Sequence, residues 1–285
     1  LSPPTRAQAL AKLDRTEIRV GYPSRWIEYG KVAIRRDDYA GNAMRLNEFL
    51  VRRELAKLGK PVELDQFAAP NTTLPIVINA GYDSSWNGIE IPAAFLQPPF
   101  YDPKADPAVN FCTMGAVIGH ELTHGFDSQG RLYDASGNVR DWWTDADAQR
   151  FVDETGKLAR QADAFEILPG LHLNGAIEVT ENLADVGGVA LGYAALQEHL
   201  REHPAANRTI DGFTPSQRCF LAWGQLWADK MNEGAMRQLL PVDGHPPGVY
   251  RMPAPAQHEK GFYEAFGIRA GDRMWLDPND RVTIW

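Results

Sequence analysis

Cysteine is nearly absent from this chain: two in 285 residues, Cys112 and Cys219. Two cysteines so far apart exclude a disulfide-framework fold, and they read as small buried apolar residues rather than as a bridge. Long hydrophobic runs are missing too. No stretch approaches the roughly 18 apolar residues of a membrane-spanning helix, and no secretory leader pattern stands at the start. Positive charge is in deficit: 29 Lys and Arg against 37 Asp and Glu give a formal net charge of −8. That argues against nucleic acid as a partner, and a solvated acidic surface accounts for it. The sequence contains no internal repeat, low-complexity tract or clear linker. The first residue is Leu1 rather than Met, so the expectation is an excised or processed piece with any targeting segment upstream.

What is present fits a globular enzyme. Hydrophobic residues make up 44% and charged residues 23%, both ordinary values. The length suits one large domain with a substantial core, or at most two. Apolar spacing and punctuation predict helices over about 2–13, 37–58, 108–129, 144–165, 178–199, 215–230 and 258–266. Leu74 to Ala80 reads as a strand, Gly88 to Pro92 as a short extended piece, and the proline-rich stretch Pro241 to Pro255 as a loop. Periodicity alone stops at an α-rich chain with some strand, which suits an α+β class, mostly helical with a small sheet.

One pentapeptide carries chemistry: His120-Glu121-Leu122-Thr123-His124. It lies in a helical stretch, where positions i and i+4 share a face, so both imidazoles can reach one metal ion. Glu121 is rotated by about 100° from His120, beside the metal, where it can take a proton from water. Two helix histidines and a surface glutamate are the bland alternative. A catalytic zinc site needs a third protein ligand and keeps one position open. Glu181-Asn182-Leu183-Ala184-Asp185 can supply it. Glu181 and Asp185 are again i and i+4. Glu181 can bind the metal while Asp185 accepts the free ring N–H of a ligand histidine, and Asp127 can do the same for His124. Taken alone, the two acids are better read as an acidic first helical turn; the upstream motif tips the reading to a ligand.

These residues belong to a longer pattern. Ile78 to Tyr82, Pro92-Ala93 with Leu96 to Phe100, Val117 to Asp127 with Gly130-Arg131, Glu181 to Asp185 with Gly187-Gly188, Asp243 to Pro247 with Arg251, and the terminal Val282 to Trp285 follow in order. The chain resembles the catalytic region of the neprilysin and endothelin-converting-enzyme family of zinc metallopeptidases. It departs from that pattern at Gly81, where an aromatic is common, and at Val282, where animal members carry cysteine; both suggest a bacterial-type member. The family's membrane anchor is not in this sequence. Nor is the helical cap domain that precedes the catalytic region and limits substrates to short peptides, so residues 1–285 are expected to be the catalytic domain alone.

The resemblance implies a zincin fold, thermolysin-like, with an edge strand along a cleft and the motif helix as its floor. It implies one zinc per chain on His120, His124 and Glu181, and a catalytic set of Glu121, His245 and Asp185. His245 would donate to the oxyanion and Asp243 would orient it. Asn79 and Ala80 would bind substrate backbone by strand addition, and Arg251 would contact a carbonyl beyond the cleavage site. Phe95, Phe100, Val117 and Trp227 would line a pocket for a bulky apolar residue, with cleavage on its amino side. Without the family, His245 and Arg251 read as surface residues, Asn79 as a turn former, and the four apolar residues as core. The implied enzyme is an endopeptidase acting on short peptides outside the cytoplasm. Two rivals stand beside it. A zinc aminopeptidase would need a free-amine recognition motif such as Gly-x-Met-Glu-Asn, which this sequence lacks. A non-enzymatic peptide-binding domain would not need Glu121.

Overall fold

The computed structural model describes residues 1–61, 67 and 73–283. The terminal Ile284-Trp285 of the family pattern lies outside the described residues. The chain runs α1 (Pro3–Asp14), β1 (Glu17–Gly21), α2 (Tyr39–Leu55), β2 (Gly81–Asp83), β3 (Gly88–Pro92), α3 (Pro107–Cys112) and α4 (Met114–His124). It continues with α5 (Asp145–Asp163), β4 (Glu166–Leu168), β5 (Leu171–His172), α6 (Gly175–Glu202), α7 (Pro215–Leu226), α8 (Glu233–Leu239), α9 (Gly248–Arg251) and α10 (Lys260–Phe266). The class is α+β and mostly helical. Local chemistry explains most boundaries. Proline opens α1, α3 and α7, where a missing N–H costs nothing. Asn174 caps α6, accepting from the N–H groups of Ala176 and Ile177, and Thr214 with Gln217 forms a capping box on α7.

The site is framed by a three-stranded sheet and a helix pair. The sheet order is β1-β3-β2, with β1 parallel and β2 antiparallel to β3. All five residues of β3 are buried, as befits the central strand, and β2 is left as an edge. Ile89, Ile91, Ala80, Phe95, Met114 and Val117 join sheet and α4 in one apolar cluster. On its other face α4 lies against α6 at unusually short range. A Cβ on Gly187 would sit 2.1 Å from the Thr123 hydroxyl, and one on Gly188 2.5 Å from the Ala116 carbonyl oxygen. The absent side chains let the two backbones approach, and that approach brings Glu181 to the two histidines.

Four expectations are corrected. The run from Leu74 to Ala80 is not a strand: its alternating Leu74, Ile76 and Ile78 are exposed, Pro75 interrupts it, and pairing begins only at Gly81. The helix expected over 108–129 is two helices, broken at Thr113 (φ −105, ψ −91) and finished at His124. The proline-rich loop contains the single turn α9, which carries Arg251. Cys112 and Cys219 are not free; they form a disulfide across a sequence separation of 107, with their Cα atoms 5.1 Å apart. The pairing follows from α3 packing on α7 around Ala108 and Leu196, a tertiary contact that spacing does not reveal. Closing so long a loop contributes up to about 5 kcal/mol by the loss of chain entropy in the unfolded state.

Candidate active site

Helix α4 presents His120 and His124 one turn apart, as the i, i+4 spacing requires. Their Nε2 atoms lie 3.0 Å apart. Behind each ring a carboxylate fixes the other nitrogen: His120 Nδ1 donates to Asp185 Oδ1 (2.8 Å) and His124 Nδ1 donates to Asp127 Oδ2 (2.6 Å). Glu181 reaches across from α6, 3.4 Å from His120 Nε2 and 3.5 Å from His124 Nε2. One ligand atom from each of His120, His124 and Glu181 lies within 4.8 Å of the others, and among the described residues this is the group of three that could hold a metal ion.

The donor set fits zinc. With both Nδ1 protons committed to carboxylates, two neutral rings would turn their Nε2 lone pairs on each other, an arrangement that a cation between them relieves. Among the described residues the buried Glu181 Oε2 finds no hydrogen-bond partner. The electrostatics point the same way. Burial disfavours a charged His120, yet its hydrogen bond to Asp185 and the Glu181 carboxylate facing its other nitrogen outweigh that and push its pKa up to about 10. Burial likewise opposes the Glu181 charge, but His120, His124 and His245 hold its carboxyl well below the usual range. The site therefore calls for positive charge, which either a proton or a metal supplies.

The surroundings form a cleft of about 420 Å³ bordered by Asn79, Ala80 and Tyr82 on one side and by Trp227, His245 and Arg251 on the other. Glu121, largely buried, lines it beside the histidines. His245 stands 64% exposed, its Nε2 3.4 Å from Glu181 Oε1. Its ring Nδ1 and its backbone N–H both bond Asp243 Oδ1 at 2.9 Å, and its loop rests on the first turn of α6 near Ile177. Arg251 forks onto Asp185 with bonds of 2.6 and 2.7 Å and stacks 3.7 Å above the Trp227 ring. Asp185 is enclosed by His120 and Arg251 and does not border the cleft. That placement suits a residue that orients a ligand histidine, the other of the two roles expected of it from sequence.

Phe95, Val117 and Trp227 line the cleft, but Phe100 does not. It packs edge-on behind Phe95, ring centres 4.7 Å apart, and acts as support for the wall. Tyr82 and Trp223 are among the lining residues that had no role from sequence. Tyr82 belonged to the family pattern and its alternation with Ala80 was visible; Trp223 follows from Trp227 by the i+4 rule on a helix.

A helix carrying two clamped histidines, a carboxylate from a second helix pressed against it, and an edge strand along the cleft together define a zincin-type metallopeptidase scaffold. Comparison with known proteins agrees. The model of "Peptidase family M13" matches residues 79–282. The chain is 33% identical over 289 residues to the neutral endopeptidase of Lactobacillus helveticus, covering 100% of this chain and 42% of that protein. It is 31% identical to mouse neprilysin, covering 99% of this chain and 38% of that protein. Among solved structures, the zinc metalloprotease ZMP1 of Mycobacterium tuberculosis superposes with a TM-score of 0.94 at 43% identity, over 100% of this chain and 43% of that one. The chain belongs to peptidase family M13, a family of zinc metalloendopeptidases. It spans about two fifths of the length of these relatives.

Proposed function

We propose that this chain is the zinc-binding catalytic region of an endopeptidase that hydrolyses short peptides. The observation that carries the reading is the convergence of His120, His124 and Glu181, each histidine clamped from behind, with Glu121 bordering the same cleft. Those three residues hold one zinc ion. When bound, zinc acidifies a water molecule and polarises the scissile carbonyl. Glu121 would take a proton from the attacking water and return it to the leaving amine. His245, held by Asp243, donates to the carbonyl oxygen as charge develops there. The open edge of β2, entered through Asn79 and Ala80, pairs with the substrate backbone, and Phe95, Val117 and Trp227 receive a bulky apolar side chain following the cut. Arg251 orients Asp185 and reaches the substrate's far carbonyl.

The intact Glu121 and the edge strand favour this endopeptidase over a peptide-binding domain or an aminopeptidase. We place the protein outside the cytoplasm: the Cys112–Cys219 bridge fits an oxidising compartment. Among the described residues no helix is long and apolar enough to cross a membrane. The larger relatives bear on rate. No residue of α2 is buried, and Tyr39 (88%) and Met44 (74%) stand in solvent. Such a face suits docking of the additional chain that relatives possess. With the cleft open to water, electrostatic stabilisation is weaker. The isolated 285 residues should cut peptides slowly and with little regard to size.

A quenched peptide with a central Phe or Leu tests the reading. Cleavage on the amino side of that residue, abolished by chelation and restored by zinc, is expected; zinc-independent cleavage sinks it. The oxyanion role has its own check. His245→Ala should lower kcat by about 10²–10³-fold, the loss of one oxyanion donor, with little change in KM. A raised KM at unchanged kcat would make His245 a substrate holder only.

A further inference from the structure

Helix α1 buries the wrong side chains for an ordinary amphipathic helix. Leu10 and Leu13 are 49% and 45% exposed, while Thr5 and Lys12 are fully buried. The helix is therefore seated by polar contacts at two points. At its start, Ser2 and Thr5 bond Asp147 at the head of α5. At its end, the Lys12 ammonium enters the molecule beneath the metal-ligand helix. It donates to the carbonyl oxygens of Gly130 and Tyr133, both at 2.8 Å, with the Phe126 and Tyr82 rings 5.5 and 5.9 Å away. A buried ammonium is costly unless such partners compensate it, and burial lowers this one to a pKa of about 8 against the opposing pull of Asp127 and Asp134. A Met or Leu would fill the space without that cost, so packing alone does not account for lysine here.

What the ammonium holds is the turn that holds His124. Gly130 is gripped on both sides: its carbonyl oxygen by Lys12, its N–H by Asp127 Oδ1 at 2.7 Å. Asp127 Oδ1 also takes the Gln129 N–H at 2.7 Å, and its other oxygen takes His124 Nδ1. The turn folds back so tightly that a Cβ on Gly130 would sit 1.8 Å from the His124 carbonyl oxygen. Lys12 also reaches the opposite wall of the cleft. Its backbone oxygen accepts from Asn87 Nδ2 (2.9 Å), and Asn87 Oδ1 accepts from the Tyr82 hydroxyl (2.7 Å). One residue of α1 thus joins the edge-strand side of the cleft to the turn behind a metal ligand.

We infer that Lys12 is a positioning residue of the metal site, acting on zinc through Gly130, Asp127 and His124. The inference rests on the zinc reading above. The test is competition for zinc against a chromophoric chelator, on the parent chain, Lys12→Met and Thr5→Val. The two substitutions each remove one of the buried polar anchors of α1, so both loosen the helix, but only Lys12 leads to His124. Lys12→Met should bind zinc about tenfold or more weakly, within the range for groups that orient a ligand, while Thr5→Val binds like the parent. Parent-like zinc affinity in Lys12→Met overturns the inference, and so does equal weakening in Thr5→Val, which would mean that any loosening of α1 suffices. Should Lys12→Met fail to fold, Lys12→Gln decides: too short to span both carbonyls, it should bind zinc more weakly, and unchanged affinity overturns the role. A parent that binds no zinc at all would instead sink the metal site itself.

Discussion

Glu121→Gln is expected to keep its zinc and to lose turnover by about 10²–10⁴-fold, the range for a positioned general base. Glu121 lines the cleft from the motif helix but is not among the converging ligand atoms. The amide preserves its shape and removes only the ability to take a proton. Glu181→Gln should behave in the opposite way. Glu181 is one of the three proposed ligands, its charge sustained by the surrounding histidines, so the amide should weaken the metal's hold and activity should fall because zinc is lost. Zinc content and turnover measured on both variants separate the roles. Loss of zinc from Glu121→Gln with retention in Glu181→Gln would reverse the assignment.

Arg251→Met is expected to cost about 3–5 kcal/mol of stability, the usual penalty for breaking a buried ion pair from one side. The guanidinium is buried and makes both of its short bonds to Asp185, which is itself fully buried and bonded to His120. Removing it strands a carboxylate in the interior next to a metal ligand. Lysine at this position should restore only part of the loss, because a point charge cannot replace the two-pronged contact or lie flat on Trp227. Denaturant unfolding reads the effect. A parent-like midpoint for Arg251→Met would mean that Asp185 is neutral or otherwise compensated.

The convergence of the candidate ligands was legible in the sequence because it is written in local periodicity. Two residues four apart on a helix must share a face, whatever the rest of the chain does. The same rule put Glu181 and Asp185 together and anticipated Asp185 behind His120. Residues whose meaning is tertiary were not legible. Lys12 looks like any helix lysine, since its burial depends on a turn more than a hundred positions later. The cysteine pair is joined by the packing of α3 on α7. The residues from Leu74 to Ala80 alternate as a strand should, but Pro75 disrupts their ladder, their apolar side chains stay exposed, and pairing starts only at Gly81. His245, Asn79 and the pocket residues came from family resemblance alone. The structure brings most of them to the cleft and places Phe100 behind Phe95.

The central claim is that one zinc ion sits between α4 and α6 on three named side chains. Anomalous scattering from crystals of the zinc-loaded protein, recorded on both sides of the zinc absorption edge, addresses it directly. The account predicts a single strong peak at about 2.0–2.2 Å from His120 Nε2, His124 Nε2 and a Glu181 carboxylate oxygen. A peak on other residues, or none at these three in protein that cleaves peptide, would contradict it.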